Sequence, residues 1–232
     1  MEIIILTILF GVFEGLCGKY IHVVDQNKTW SDAQEACRIC YTDLAMVASR
    51  GDNKLLLAAG PSGWIGLHRD SQNSTLWKWS GGEEMRYQNW SQGQPNNLDG
   101  EQNAVVIKSD KGWNDFWEDK LLSFFCIHLL VVETPMPWEK AMKHCKTNDF
   151  LGLTWDKLTL AAGEMDRKNV VQGWIGLRFL GDQWQWVSGR QLESETREKL
   201  QECPGQNRCA ALYSDGLLQS TDCAQELPFI CE

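Results

Sequence analysis

The sequence predicts an α+β fold built twice, as two tandem disulfide-closed domains, and three observations predict it. First, four landmarks recur in order. TWSDAQEAC (Thr29–Cys37) returns as PWEKAMKHC (Pro137–Cys145), and GWIGL at Gly63–Leu67 returns unchanged at Gly173–Leu177. WKWSGG (Trp77–Gly82) returns as WQWVSG (Trp184–Gly189), and FFCI around Cys126 is matched by PFICE at the end. All four offsets lie between 105 and 110 residues, which marks a repeat of whole domains. Second, helical periodicity comes early in each repeat and short strand patterns come late, the order of an α+β domain. Third, each repeat has a cysteine in its first helix and another in its last strand. The expected pairs are Cys37–Cys126 and Cys145–Cys231, and closing loops of this length contributes roughly 4 kcal/mol or more in the chain-entropy model.

Taken in order, the chain opens with an apolar run from Ile3 to Phe13. It is too short to span a bilayer but suits a secretory signal over residues 1–17, with small Gly15 and Cys17 before the cut. Glu2 departs from the usual basic start, and a buried first strand is the competing reading. The two domains then occupy 18–127 and 128–232 and meet near His128 with almost no linker. YIHVV and LLVVE are rich in β-branched residues and read as strands. Trp30, Ala33 and Cys37 fall at i, i+3 and i+7 on one helix face, as do Trp138, Ala141 and Cys145; Thr29 or Ser31 can cap the first helix. In WKW and WQW the indoles alternate, so both point to one face of a strand. AVVIK is a short buried strand. Core packing accounts for these tryptophans.

Composition narrows the function. A net charge of −9 with 22 Lys and Arg and no dense basic run argues against nucleic acid or an anionic membrane as partner. No segment beyond the first apolar run can anchor the chain, so no membrane span is expected. Of nine cysteines, eight remain if Cys17 leaves with the signal, an even number suited to disulfides outside the cell. Sequons at Asn27, Asn73 and Asn89 are consistent with a secreted glycoprotein. Neither H-E-x-x-H nor G-x-S-x-G occurs and the four histidines are dispersed, so no enzyme is expected. The lone CRIC at Cys37–Cys40 lacks the context of a redox or zinc site.

The stretch GQPNNLDGEQN (Gly93–Asn103) and the WND at Trp113–Asp115 gather side-chain oxygens around one X-Pro bond. Such a set is either a solvated loop or a cage for a hard cation. Ca²⁺ accepts six to eight oxygens from carboxylates and amide carbonyls alike.

W…A…C, WIGL, W.W..G, QPN, WND and F.C in this order resemble the C-type lectin-like domain, here in tandem. The resemblance implies a double-looped fold with a compact lower half and a long irregular loop region that carries the ligand site. In sugar-binding members a calcium ion sits in that loop. The implied ligands here are Gln94 and Asn96 around a cis Pro95, then Glu101, Asn114 and Asp115. Two are anionic, which balances the ion. The first domain departs from the pattern in two ways. The usual inner disulfide is missing, its positions falling on Glu118 and on Asn103 or Ala104. The triplet is Gln-Pro-Asn, neither the Glu-Pro-Asn of mannose-type binders nor the Gln-Pro-Asp of galactose-type ones. The second domain keeps an inner disulfide, Cys209–Cys223, but has Leu218, Gln219 and Ser220 where WND would stand. Cys40 and Cys203 are left over for a pair across the junction. The implied function is a secreted calcium-dependent lectin for glycans or glycoproteins, plausible in innate-immune recognition. The alternative is a calcium-independent module that binds a protein receptor or a surface.

Overall fold

The computed structural model describes residues 19–108, 112–145, 155–187 and 204–231, with isolated positions between 189 and 200. The expected signal over 1–17 lies outside the described residues.

The first repeat runs β1 (Tyr20–Lys28), α1 (Trp30–Cys40), β2 (Asp43–Leu44), α2 (Arg50–Ala59), β3 (Gly63–Arg69), β4 (Trp77–Trp79), β5 (Ala104–Ile107), β6 (Trp113–Phe116) and β7 (Leu122–Ile127). The second runs β8 (Leu130–Met136), α3 (Trp138–His144), α4 (Trp155–Arg167), β9 (Gln172–Leu180), β10 (Gln183–Trp186), β11 (Cys209–Tyr213), β12 (Leu218–Thr221) and β13 (Leu227–Cys231). Each repeat builds its own sheet. The orders are β1-β7-β3-β5-β6 and β12-β11-β9-β13-β8, with β4 and β10 added to β3 and β9. The repeat extends to register: Trp64 pairs Phe124 in parallel in the first sheet and Trp174 pairs Phe229 in the second.

The landmark residues explain why both halves fold alike. Thr29 caps α1 by accepting the Asp32 amide, and Trp30, Ala33 and Cys37 form its buried face. The Trp30 indole donates to the Ile65 carbonyl at 2.9 Å, and Trp138 does the same to Ile175 at 2.9 Å. Trp64 and Trp174 likewise donate to Lys28 and Met136, the last residues of β1 and β8. Four buried indoles thus fasten first helix and first strand to the WIGL strand, and their polar N–H groups are satisfied. Disulfides join Cys37 to Cys126, Cys145 to Cys231 and Cys209 to Cys223. Cys40 is exposed, and Cys203 lies outside the described residues.

Helices α2 and α4 bring the two repeats together. A continuous apolar cluster includes Leu56, Val105 and Ile127 of the first half and Leu158, Ala161 and Met165 of the second. At its edge the buried Asp52 carboxylate receives Lys157 Nζ at 3.0 Å and Lys19 Nζ at 2.6 Å. Burial pushes the Asp52 carboxyl up, but the two ammonium groups outweigh it and hold the group well below the usual carboxylate range.

Candidate functional site

The loop between β4 and β5 and the strand β6 form the site region of the first half. Its floor is aromatic. Trp113 is fully buried, with Trp79, Tyr87 and Trp90 edge-on around it at 5.7–5.9 Å. Its indole N–H donates to Asn53 Oδ1 at 2.9 Å. Backbone bonds from Trp113 to Asn89 and from Ser91 to Trp113 then tie the start of the loop to β6. Because side chains alternate along a strand, burying Trp113 fixes where Asn114 and Asp115 can go.

The Gln94–Pro95 peptide is cis. The chain beyond it folds onto Asp115, whose Oδ1 accepts the Asn96 amide at 3.0 Å and whose Oδ2 accepts the Asn97 amide at 2.7 Å. Asn97 and Asp99 adopt left-handed backbone angles, φ 45° and 58°, which short polar side chains tolerate better than most. Asn97 Oδ1 accepts from the Gln102 amide, and Gln102 Oε1 accepts from the Leu98 amide at 2.8 Å. The loop is therefore held by its own amide side chains.

The five expected ligands are placed as follows. Gln94 is half-buried, and its Oε1 is a buried oxygen without a hydrogen-bond partner among the described residues. Asn96 is exposed, and its Oδ1 accepts the Leu98 amide at 3.2 Å. Asn114 is buried and its Nδ2 donates to the Asp115 carbonyl at 2.7 Å, which leaves Oδ1 as its acceptor. Asp115 is fully buried. Glu101 is exposed. Contacts thus join Asn96, Asn114 and Asp115, while Glu101 stands at the solvent edge. Among the described residues no three His, Cys, Asp or Glu side chains cluster as a metal site; the set here relies on amides, with only two acids.

Sequence reasoning missed one residue, Arg69. Its Nη2 lies 3.1 Å from Asp115 Oδ2, so a cation already faces the buried carboxylate. The guanidinium also donates to the Gln102 and Ser74 carbonyls at 3.1 and 3.0 Å and stacks over Trp77 at 4.3 Å. The signal was available in the repeat: two residues beyond WIGL the first copy has Arg69 and the second Phe179.

In the second half, Cys209 stands opposite Thr221 in the β11–β12 ladder as Ala104 stands opposite Phe116 in β5–β6. That register assigns the missing first-half cysteine to Ala104 rather than Asn103. Of the sequon asparagines, Asn27 and Asn73 are exposed and Asn89 is half-buried.

The family model described as the Lectin C-type domain matches this chain twice, over residues 26–128 and 134–232. The chain belongs to the C-type lectin domain family. Two curated relatives are a C-type lectin of Micrurus corallinus and C-type lectin lectoxin-Enh4 of Pseudoferania polylepis. The first is 31% identical over 48% of this chain and 76% of its own length, the second 33% over 50% and 78%. Among solved structures, the carbohydrate-recognition domain of the mouse scavenger receptor C-type lectin is 29% identical. That likeness spans 46% of this chain and 86% of that one, with a TM-score of 0.43. Domains of this family are typically calcium-binding carbohydrate modules, and in this chain each of the two domains is closed by a disulfide from the end of its first helix to its last strand. No helix among the described residues is long and apolar enough to cross a membrane.

Proposed function

We propose that this chain is a secreted, calcium-dependent lectin that binds glycans or glycoproteins through its first domain, in the manner of an innate-immune recognition protein. The observation that carries the reading is Gln94 Oε1, a buried amide oxygen without a partner among the described residues, beside a cis proline in a loop fastened to Asp115. A buried acceptor left unsatisfied is costly, and a hard cation is the partner such an oxygen suits. Gln94, Asn96, Glu101, Asn114 and Asp115 would hold Ca²⁺. When bound, the ion supplies open coordination positions to vicinal sugar hydroxyls. Glu101 accepts a hydroxyl proton and the Asn114 amide donates to its lone pair. Gln94 and Asn96 offer only amide oxygens to a second hydroxyl, weaker acceptors than a carboxylate, so monosaccharide affinity is low. Sequons at the exposed residues Asn27 and Asn73 suit export and glycosylation; Asn89 is less accessible.

A second reading, a calcium-independent module for a protein receptor or a surface, is favoured by the Arg69–Asp115 ion pair, which already neutralises one of the two acids. Retention on a glycan column separates the two. Release by EDTA, with retention abolished in Asn114→Ala/Asp115→Ala, is the expected result. Equal retention with and without chelator would give the second reading preference.

A further inference from the structure

We infer that Arg69 is a resident cation of the first domain's long loop: it holds the loop together without metal, and in doing so it lowers the site's affinity for a divalent ion. The second half of this inference rests on the calcium reading above; the first does not.

The guanidinium uses all three of its nitrogens, each on a different segment. Nε reaches the Gln102 carbonyl, Nη1 the Ser74 carbonyl in the turn before β4, and Nη2 the Asp115 carboxylate on β6. The Arg69 amide also donates to the Asn103 carbonyl at 2.8 Å. The planar fork is suited to such multipoint bridging in a way an ammonium is not. The side chain is 11% exposed and its carboxylate partner 0%, so water screens the pair poorly. The residues linked in this way flank the missing disulfide: Asn103 precedes Ala104, and Asp115 lies three positions before Glu118.

The second domain supplies an internal control. At the position of Arg69 it has Phe179, at that of Asp115 it has Ser220, and both charges are gone together. The backbone contact remains, since the Phe179 amide donates to the Arg208 carbonyl at 2.8 Å as Arg69 does to Asn103. A contact with the matching tryptophan remains too: Phe179 meets Trp184 edge-on at 5.6 Å where Arg69 lies over Trp77. What replaces the ion pair there is the Cys209–Cys223 disulfide. The base of the loop is thus braced covalently in one domain and by charge in the other.

A cation in contact with Asp115 has a further consequence. Asp115 can serve a divalent ion fully only if Arg69 yields it, and an incoming ion of the same sign is repelled at close range in a poorly screened site. Removing the charge while keeping the stem that stacks on Trp77 isolates this effect.

The test uses the full, oxidised chain and Arg69→Met, with Arg69→Lys as the conservative variant. Hydrogen exchange is followed in EDTA and in millimolar CaCl₂, and CaCl₂ is titrated by calorimetry. In EDTA, amides of residues 93–103 in Arg69→Met should exchange at least about tenfold faster than in the parent, with Arg69→Lys between them. Protection in β3 and β7 stays unchanged, which shows that the fold survives. Calcium should restore loop protection in Arg69→Met and bind it about tenfold more tightly than the parent. Unchanged loop exchange in EDTA overturns the brace, and equal calcium affinity in parent and variant overturns the competition. Faster exchange in EDTA with no calcium binding by either protein upholds the brace and overturns the calcium reading, so the two failures are distinguishable.

Discussion

The two halves of the chain carry the same lower architecture and opposite loop regions. Below, Trp30 and Trp138, Trp64 and Trp174, and the two long-range disulfides occupy matching places and make matching bonds. Above, the first domain has the cis Gln94–Pro95 bond, Asp115 and Arg69 but no inner disulfide, and the second has Cys209–Cys223 with Ser220 and Phe179. The lesson concerns where constraint resides. Core packing is set by shape and tolerates little drift in volume, so both copies retain it. The loop needs only some brace at its base, and a disulfide or a buried ion pair can supply it.

Four perturbations break or sharpen this comparison, in descending order of effect. The largest acts on what the halves share. Asp52→Ala leaves Lys19 and Lys157 facing each other in the apolar junction, and should cost about 3–5 kcal/mol. Denaturant unfolding followed by tryptophan fluorescence checks the size, and a separate early transition of only one half would show that the junction does not couple them. Next, Cys209→Ala/Cys223→Ala removes the second domain's inner staple. Its short loop predicts a loss of about 3 kcal/mol, read as a lower melting temperature, with first-domain exchange protection unaltered. The reciprocal transplant, Ala104→Cys/Glu118→Cys, should raise first-domain stability by about 0.5–2 kcal/mol. A bond that forms by mass spectrometry without any thermal gain would show that Arg69 already constrains that base fully.

The smallest effect is a pH dependence. Burial lowers the pKa of both His22 and His128 from the ordinary 6.5. His22 is stacked on Phe125 at 4.2 Å, and His128 sits at the junction with its Nδ1 buried. As pH falls below 6.5 the unfolded chain takes up protons first, so this contribution is complete above 6.5 and is lost as pH falls through the depressed values. Melting temperature should therefore decline gently between about pH 7 and 5, and His22→Gln/His128→Gln should flatten the decline. Asp52 behaves in the carboxylate sense: its stabilisation is present above the ordinary value of 3.8 and is lost only in stronger acid.

Much of this was legible in the residues themselves. Periodic Trp, Ala and Cys fixed α1 and α3, alternating tryptophans fixed β4 and β10, and the repeat divided the chain into two units. These signals are local, because a helix or strand face is written in spacings of a few residues. Helices α2 and α4 lie outside the four recurring landmarks, and their meaning lies in each other: Asp52 is informative only once Lys157 is seen 3.0 Å away. The same holds at the site. Gln94, Asn96, Asn114 and Asp115 could be nominated from QPN and WND, whereas Arg69 stands out in sequence only as a difference between the repeats, and its tie to Asp115 only in space.

The sequence by itself determined the tandem α+β architecture and the stock of oxygen donors, since both follow from patterns contiguous along the chain. Only the tertiary structure decided the state of charge at the site and the register that puts Ala104, not Asn103, at the vacant disulfide position. Both depend on distances between segments far apart in sequence, and electrostatic and covalent constraints act through space, where order along the chain carries no direct record.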